Sequence, residues 1–376
     1  MEQILKSDCI EMFDIETRCE AKRTRVFVGT GIRKRIGEPL SVVWESRKPE
    51  RVLLVTDEKV GGLYSEEIIG AMKSGACNVF LHVVAVGESS KCVGLAEQLY
   101  HCLAENRFGR DDVVFALGGG VVSDLAGFVA ATWMRGIRWV VVPTTIEAGV
   151  DACLGGKTAI NIPGGKNLVG AFHPPIAVLA DPEFFKTLNV RDVRAGLAES
   201  VKHAFLTSEE FVRWHEENVE GILGLDEQVL PELVTRNLKI KGGIVEADPF
   251  ERTGRRMILN FGHTIGHAIE VCSGFTLRHG ECVAMGMVAA GRISERLGLI
   301  EATLAERLEG LLNRFELPTR IPNTLTVDDI LAALRLDKKV RDGRVQFVLL
   351  EGIGRPVIRG NVAESAVVDV VESLRN

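Results

Sequence analysis

Short β-rich runs alternate with helical stretches through the first half of the chain. Strands are predicted at residues 51–56, 80–86, 112–117 and 139–143, and a helical pattern after the second run extends to about residue 106. Because strands joined by helical crossovers pair in parallel, this alternation predicts a parallel sheet with helices on its faces. The third strand runs into a glycine-rich segment. We therefore expect a Rossmann-like α/β domain that binds a dinucleotide.

The pattern changes near residue 191, where long amphipathic stretches replace the β-rich runs. Helices are predicted over residues 193–205, 228–246 and 281–297, a small hairpin over 345–350 and 355–359, and a closing helix over 364–374. At 376 residues the chain exceeds the usual size of one hydrophobic core. We expect an α/β dinucleotide-binding domain at residues 1–187 and a mainly α-helical metal- and substrate-binding domain at 188–376.

Charge and cysteine usage narrow the class of protein. Lys and Arg number 45 against 51 Asp and Glu, a net charge of -6, so the chain has no basic footprint for nucleic acid. The weakly charged stretch at residues 113–133 is rich in glycine and broken by Asp124, which disfavours a membrane span. The eight cysteines form no C-x-x-C pair, and no secretory signal is evident at the start. We expect free thiols and a cytoplasmic, reducing location.

Histidines concentrate in one short part of the second half. His263, His267 and His279 are three of the eight in the chain, and the first two lie four residues apart, on one face of a helix. Since neutral imidazole is the commonest metal ligand, the cluster predicts a divalent metal, with hydrogen-bonded core histidines as the alternative. The spacing does not say which two bind. Glu199, on an apolar helix, is the best candidate for a third ligand, although an ion pair with Lys202 explains it equally well.

Two glycine-rich segments are candidate anion sites. Residues 118–124 follow a strand and open a helix, so their N–H groups and the helix dipole suit a pyrophosphate. Ser123 replaces the last glycine of a G-x-G-x-x-G motif, which leaves a structural turn as the alternative. Residues 150–167 combine two lysines, an aspartate and two asparagines with glycines. This segment predicts a phosphate pocket, with solvated loop lysines as the alternative.

A series of motifs, in this order and spacing, resembles the 3-dehydroquinate synthase family of sugar-phosphate cyclases over essentially the whole chain. The motifs lie at residues 87–91, 118–124, 134–136, 143–145, 150–151, 155–157, 165–167, 197–202, 260–267, 279–281 and 337–339. The segment at 146–153 departs from the family pattern, because it carries Glu147 and has Ala152 and Cys153 where many members have serines.

The resemblance implies a role for each matching position. It implies that Glu199, His263 and His279 bind the metal, usually zinc, with cobalt as an alternative. It implies that NAD is held by Asp57, Glu88, Lys91, Gly119, Gly120, Val121, Asp124, Thr144, Thr145, Lys157, Lys166 and Thr187. The implied substrate and catalytic residues are Asp151, Lys157, Asn167, Lys202, Lys241, Arg256, Asn260, His267 and Lys338, together with Arg135, which in the family reaches the neighbouring site of a homodimer.

The implied reaction converts 3-deoxy-D-arabino-heptulosonate 7-phosphate into 3-dehydroquinate and phosphate. It proceeds by NAD-dependent oxidation of a ring alcohol, β-elimination of phosphate, reduction and an intramolecular aldol closure. Lys157, Asn167, Lys338 and Arg135 would bind the phosphate, and Arg256 and Lys241 the carboxylate. The alternatives are another cyclase, such as a 2-deoxy-scyllo-inosose or valiolone-type synthase, and a metal-dependent alcohol or glycerol dehydrogenase, which would release NADH.

Overall fold

The chain folds into two compact units. The computed structural model describes residues 11–17, 22–44, 48–73, 77–336, 340–341 and 344–375. The first unit comprises Met1–Leu188 and Glu227–Phe250, and the second comprises Asn189–Asp226 and Glu251–Asn376. The chain therefore passes between the units after Leu188, after Asp226 and after Phe250.

A mostly parallel sheet forms the centre of the first unit. The strands of this unit are β1 (Glu11–Thr17), β2 (Lys22–Val28), β3 (Arg51–Asp57), β4 (Asn78–Val84), β5 (Val113–Gly118), β6 (Arg138–Pro143), β7 (Lys157–Ile162), β8 (Gly165–Phe172) and β9 (Ala177–Ala180). The sheet order is β1-β2-β9-β6-β5-β3-β4, with β1 antiparallel to β2 and the other neighbours parallel. Every residue of β5 is buried, as expected for a central parallel strand. The predicted α/β fold class is confirmed.

The strand order reverses at one point in this sheet. After β3 the chain forms β4 on one side, and then crosses to form β5 on the other side of β3. In doubly wound sheets, ligands bind beyond the carboxyl ends of the strands at such a reversal. Asp57 ends β3, Gly118 ends β5, and Thr144 directly follows β6. The sheet thus brings three segments predicted to bind the dinucleotide to one edge.

Helices cover this sheet and form most of the second unit. They are α1 (Gly37–Val43), α2 (Glu58–Lys73), α3 (Val93–Glu105), α4 (Gly120–Thr132), α5 (Val190–Thr207), α6 (Glu209–Leu223), α7 (Val229–Ala247), α8 (His263–Cys272), α9 (His279–Arg296), α10 (Ala302–Arg314), α11 (Val327–Leu336) and α12 (Glu364–Ser373). Helix α7, which the sequence pattern places in the helical half, belongs to the first unit, where it packs against β1 and β2. Across the described ranges, no helix is both long and apolar enough to span a membrane.

The glycine-rich segment at 150–167 contains an antiparallel hairpin rather than a loop. Strands β7 and β8 pair with each other and pack on α4. Gly127 of α4 allows this packing, because a Cβ there would lie 2.5 Å from Thr158 of β7 and 2.7 Å from Trp139 of β6. The hairpin carries three residues of the predicted phosphate pocket: Lys157, Lys166 and Asn167.

Helix α9 is the central element of the second unit. Its residues from Cys282 to Gly291 are all buried, so the helix is covered on every side. It packs against α5, α8, α10 and α12, and against β12 (Phe347–Leu350). The small sheets of this unit are the pair β10 (Val340–Arg341) and β11 (Arg344–Val345), and the predicted hairpin, in which β12 pairs with β13 (Pro356–Arg359).

Candidate active site

Three side chains from different helices meet inside the second unit. Glu199 Oε1 on α5 lies 3.4 Å from His263 Nε2 and 3.4 Å from His279 Nε2. His263 opens α8 and His279 opens α9, and their ring centroids are 5.3 Å apart. The structure therefore brings together the carboxylate and the two imidazoles that the resemblance implies as metal ligands.

Glycines allow the close helix packing that forms this cluster. A Cβ on Gly286 of α9 would lie 1.9 Å from the carbonyl oxygen of Gly262, the residue before α8. A Cβ on Gly266 of α8 would lie 2.9 Å from the carbonyl oxygen of Cys282. Because no side chain separates the two backbones, α8 and α9 touch directly. The first residues of the two helices can therefore share one partner on α5.

The hydrogen bonds of the two imidazoles direct their lone pairs toward Glu199. His263 Nδ1 lies 3.1 Å from the carbonyl oxygen of Phe261, and His279 Nδ1 lies 3.3 Å from Glu270 Oε2. Both oxygens can accept from Nδ1, and a neutral ring that donates from Nδ1 has its lone pair on Nε2. Glu199 Oε1 is buried and accepts no hydrogen bond from any residue that the structure describes. Three electron-pair donors that face one another in this way fit a divalent cation.

The protonation states also suit metal binding. Burial lowers the pKa of His263 to about 4, against the opposing pull of Glu199, so the ring is neutral at pH 7. Burial alone would raise the pKa of Glu199, but the Lys202 ammonium opposes it, and that pKa lies well below its usual value. Lys202 Nζ forms an ion pair with Glu199 Oε2, the oxygen that does not face the histidines. This contact is compatible with both predictions for Lys202: that it forms an ion pair with Glu199, and that it belongs to the substrate site.

A third imidazole borders the cluster. The ring of His267 lies 5.3 Å from His263 and 5.8 Å from His279, centroid to centroid. Ligand atoms of the three histidines lie within 4.8 Å of one another, so distance alone would also allow a three-histidine site. We favour Glu199 over His267 as the third ligand, because the buried Glu199 Oε1 has no other partner among the described residues.

Two other predicted residues of the second unit, Arg256 and Asn260, lie on one short helix before α8. Arg256 is buried, with Nε 3.8 Å from Glu251 Oε1, and Asn260 ends the same short 3-10 helix, Arg255–Asn260. Lys338 lies outside the described residues. The prediction that it binds phosphate therefore has no structural counterpart here.

In the first unit, three of the predicted dinucleotide residues, Glu88, Lys91 and Asp124, belong to a connected polar network. Lys91 Nζ forms an ion pair with Asp124 of α4, and it lies 3.8 Å from Glu88 Oε1. Asn161 Nδ2 donates to Glu88 Oε1 at 2.7 Å, and Asn161 Oδ1 accepts from the backbone N–H of Asn167 at 3.0 Å. The hairpin is thereby tied to the 87–91 motif and to α4. Sequence reasoning did not assign Asn161 a role, although it lies in the polar cluster at 150–167.

The glycine-rich turn opens α4 without a side-chain cap from the described part of the chain. Gly119 is the N-cap residue, Gly120 and Val121 form the first turn, and no side chain caps these N–H groups among the described residues. Thr144 N donates to the carbonyl oxygen of Gly118 at 3.0 Å, which holds the end of β6 beside the turn. A Cβ on Gly119 would lie 3.0 Å from Thr145 Cγ2. The helix start is thus open to an anionic group.

The remaining predicted residues of the first unit occupy three places. Asp57 Oδ1 accepts from Val60 N at 2.9 Å, and Thr187 Oγ1 lies 2.8 Å from the hydroxyl of Tyr64. Lys241 Nζ of α7 lies 3.0 Å from Asp151 Oδ1 and donates to the Asp151 carbonyl at 2.6 Å. Lys157 and Arg135 are exposed, so neither is held by burial.

The chain matches one family along most of its length. The family model described as 3-dehydroquinate synthase N-terminal matches residues 81–195, and the model described as 3-dehydroquinate synthase C-terminal matches residues 196–340. A 3-dehydroquinate synthase of Symbiobacterium thermophilum is 43% identical over 357 residues, which cover 94% of this chain and 98% of that protein.

Solved structures of other cyclases share the fold. ValA, the 2-epi-5-epi-valiolone synthase of Streptomyces hygroscopicus subsp. jinggangensis 5008 with NAD+ and Zn2+ bound, superposes with a TM-score of 0.84 at 26% identity, covering 93% of this chain and 96% of that one. A 2-deoxy-scyllo-inosose synthase complexed with carbaglucose-6-phosphate, NAD+ and Co2+ gives 0.86 at 24% identity, covering 96% and 100%. The fold, together with the cluster of Glu199, His263 and His279, defines a protein of the sugar-phosphate cyclase class. Within that class, the chain belongs to the 3-dehydroquinate synthase family.

Proposed function

We propose that this chain converts 3-deoxy-D-arabino-heptulosonate 7-phosphate into 3-dehydroquinate and inorganic phosphate. The observation that carries the proposal is the meeting of Glu199 with His263 and His279 at 3.4 Å, in a chain 43% identical to a 3-dehydroquinate synthase. The other cyclases compared above are 26% and 24% identical, which favours the dehydroquinate reaction over theirs. The proposed enzyme is a carbon–oxygen lyase that eliminates phosphate.

Glu199, His263 and His279 would hold the metal, and the Co2+ and Zn2+ in the two related cyclase structures support cobalt or zinc. NAD supplies a reversible hydride acceptor, and the metal supplies a Lewis acid for the substrate hydroxyl oxygen. The chain's own contribution is to keep these ligands deprotonated. Lys202 does so for Glu199, since its ammonium favours the carboxylate form.

NAD would lie at the carboxyl edge of the parallel sheet. The open start of α4 at Gly119, Gly120 and Val121 would receive the pyrophosphate through backbone N–H groups. The other residues assigned to NAD are Asp57, Glu88, Lys91, Asp124, Thr144, Thr145, Lys157, Lys166 and Thr187. The ion pair of Lys91 with Asp124 and the threonines after β6 would form one wall of this site.

The substrate carries a phosphate and a carboxylate, and the chain offers cations for both. Lys157, Asn167, Lys338 and Arg135 are assigned to the phosphate, and Arg256 and Lys241 to the carboxylate. His267, beside the metal ligands, would move a proton at the substrate, and Asn260, Asp151 and Lys202 would orient hydroxyl groups.

We also infer a homodimer in which Arg135 serves the neighbouring site. Arg135 is exposed, and Met134, Arg135 and Gly136 all have positive φ, at 49°, 68° and 119°. Three successive residues in this region form a strained turn, and such strain is typical of functional sites. A cytoplasmic location fits the scattered cysteines, of which Cys92, Cys102, Cys153 and Cys272 are free thiols in the described part of the chain.

The test is turnover by the purified protein with zinc and a trace of NAD. With the seven-carbon substrate we expect one phosphate released per 3-dehydroquinate formed, and no net NADH. Stoichiometric NADH would indicate a dehydrogenase instead. Turnover of glucose 6-phosphate or sedoheptulose 7-phosphate, without turnover of the heptulosonate, would indicate another cyclase.

A further inference from the structure

Glu270 contacts the metal-site cluster from the side opposite Glu199. It lies on α8, seven residues after His263, so the two side chains share one face of the helix. Its Oε2 is 3.3 Å from His279 Nδ1, while His279 Nε2 is 3.4 Å from Glu199 Oε1. The His279 ring is therefore held between two carboxylates, one at each nitrogen.

The two imidazoles of the cluster are oriented by different groups. His263 Nδ1 is held by the backbone carbonyl of Phe261, two residues before it in the chain. His279 is the first residue of α9 and is a quarter exposed, with 25% of its side chain accessible against 11% for His263. A more exposed ring at a helix start has more rotational freedom, so a side-chain acceptor matters more for His279.

A carboxylate at Nδ1 has two effects on a metal-binding imidazole. It keeps the proton on Nδ1, which leaves the lone pair on Nε2, and it makes that nitrogen a stronger electron donor. Loss of such a partner typically weakens metal binding by about 10–100-fold. Glu270 Oε2 meets the geometric requirement, and the Glu270 side chain is largely buried, with 16% accessible.

We propose that Glu270 is a positioning residue that sets the tautomer and orientation of His279, and thereby the metal affinity of the site. The proposal rests on the proposed function, because it requires metal binding by Glu199, His263 and His279. Glu270 acts through His279 and is not itself a ligand.

The test is the zinc dissociation constant of the full-length apo protein, measured by competition with a chromophoric chelator. Glu270→Leu removes the acceptor and should raise the constant about 10–100-fold. Glu270→Gln keeps an amide oxygen that can accept from Nδ1, so it should restore much of the affinity. The visible spectrum of the cobalt-loaded protein should change in Glu270→Leu, since the ligand field at His279 changes.

Glu309→Leu is the matched control. Glu309 is similarly buried, with 11% of its side chain accessible, and it pairs with Arg292 and Arg320 rather than with a histidine. This variant should keep the wild-type zinc constant and cobalt spectrum, even if its melting temperature falls. A folded Glu270→Leu protein with wild-type zinc affinity would overturn the proposal. The proposed metal site itself would fail, together with this role for Glu270, if Glu199→Gln and His263→Ala also kept wild-type affinity.

Discussion

Gly280 of α9 touches the backbone of Ala195 in α5: a Cβ on Gly280 would lie 1.8 Å from the Ala195 carbonyl oxygen. The contact lies one residue after His279 and four residues before Glu199. Since backbone atoms cannot rotate away, any side chain at position 280 must separate the two helices. Gly280 thus fixes the distance between a predicted metal ligand on each helix.

Gly280→Ala should therefore cost stability and metal together. Overpacking of this kind typically costs about 1–3 kcal/mol. We expect a lower midpoint in urea denaturation and a reduced zinc content by mass spectrometry. Gly310→Ala in α10 is the control, because a Cβ there meets nothing within 4 Å, and this change should be neutral or slightly stabilising. Wild-type zinc content in Gly280→Ala would show that the spacing of α5 and α9 does not control the site.

Single substitutions should distinguish the three predicted metal ligands from the neighbouring His267. His263→Ala, His279→Ala and Glu199→Ala should each lose bound zinc, because each removes one electron-pair donor. His267→Ala should keep zinc but lose turnover, since we assign His267 to proton transfer. The measurements are metal content after dialysis and phosphate release. Retention of zinc by Glu199→Ala and its loss from His267→Ala would favour the three-histidine arrangement instead.

Removal of one partner of the Lys202–Glu199 ion pair should be strongly destabilising, because both side chains are 1% exposed and the remaining charge would be buried alone. Lys202→Met leaves a buried carboxylate without its ammonium, which typically costs about 3–5 kcal/mol. The free energy of unfolding of the metal-free protein is the measurement. Arg335→Met, which breaks an exposed pair with Glu364, should leave that free energy nearly unchanged. Equal effects of the two substitutions would contradict this assignment.

Lys91 should control affinity for NAD. Lys91→Met removes the ammonium that lies beside both Asp124 and Glu88, so the two carboxylates at the proposed NAD site lose their compensating charge. We expect at least a tenfold rise in the dissociation constant for NADH, about 1.4 kcal/mol, in a fluorescence titration. Lys59→Met, at an exposed position of α2, should bind NADH like the wild type. Unchanged NADH binding by Lys91→Met would place the cofactor elsewhere.

Cys153 should be inert toward alkylation. Burial raises the pKa of its thiol to about 12, and the thiolate form is favoured only above that pH. At pH 8 about one molecule in ten thousand carries the reactive thiolate. Peptide mass spectrometry after iodoacetamide treatment should find Cys153 unmodified in the folded protein and modified in urea. The half-buried Cys92 is the internal comparison, and equal labelling of the two in the folded protein would contradict the prediction.

Some strands could be predicted from the sequence because burial on both faces makes them continuously apolar. Strands β3, β5 and β6 begin and end within about one residue of the predicted runs. Strands β7 and β8 carry a different signal, since lysine and asparagine interrupt the apolar residues of both, two glycines lie in β8, and β8 is mostly exposed. The placement of α7 in the first unit was also beyond prediction, because periodicity shows which face of a helix is buried but not its partner.

The candidate site was predictable in part. The residues themselves indicated a histidine cluster and a carboxylate, and the family resemblance indicated which of them bind metal. The sequence analysis did not identify the two groups that contact Nδ1 of the imidazoles, the Phe261 carbonyl and the Glu270 carboxylate. The Phe261 carbonyl has no sequence signature, whereas Glu270 had one, since it is spaced to share a helix face with His263. The Asn161 contact with Glu88 depends on the β7–β8 hairpin, which the sequence pattern did not predict.

Because α7 belongs to the first unit, the chain cannot be cut at one point into two complete units. A fragment that stops at Leu188 would lack this helix, and Asp151 would lose its partner Lys241. Exchange of either unit with a relative would need three junctions to be rejoined correctly. Recombination at a single point is thus poorly suited to shuffling these units, and we expect them to be inherited as one piece.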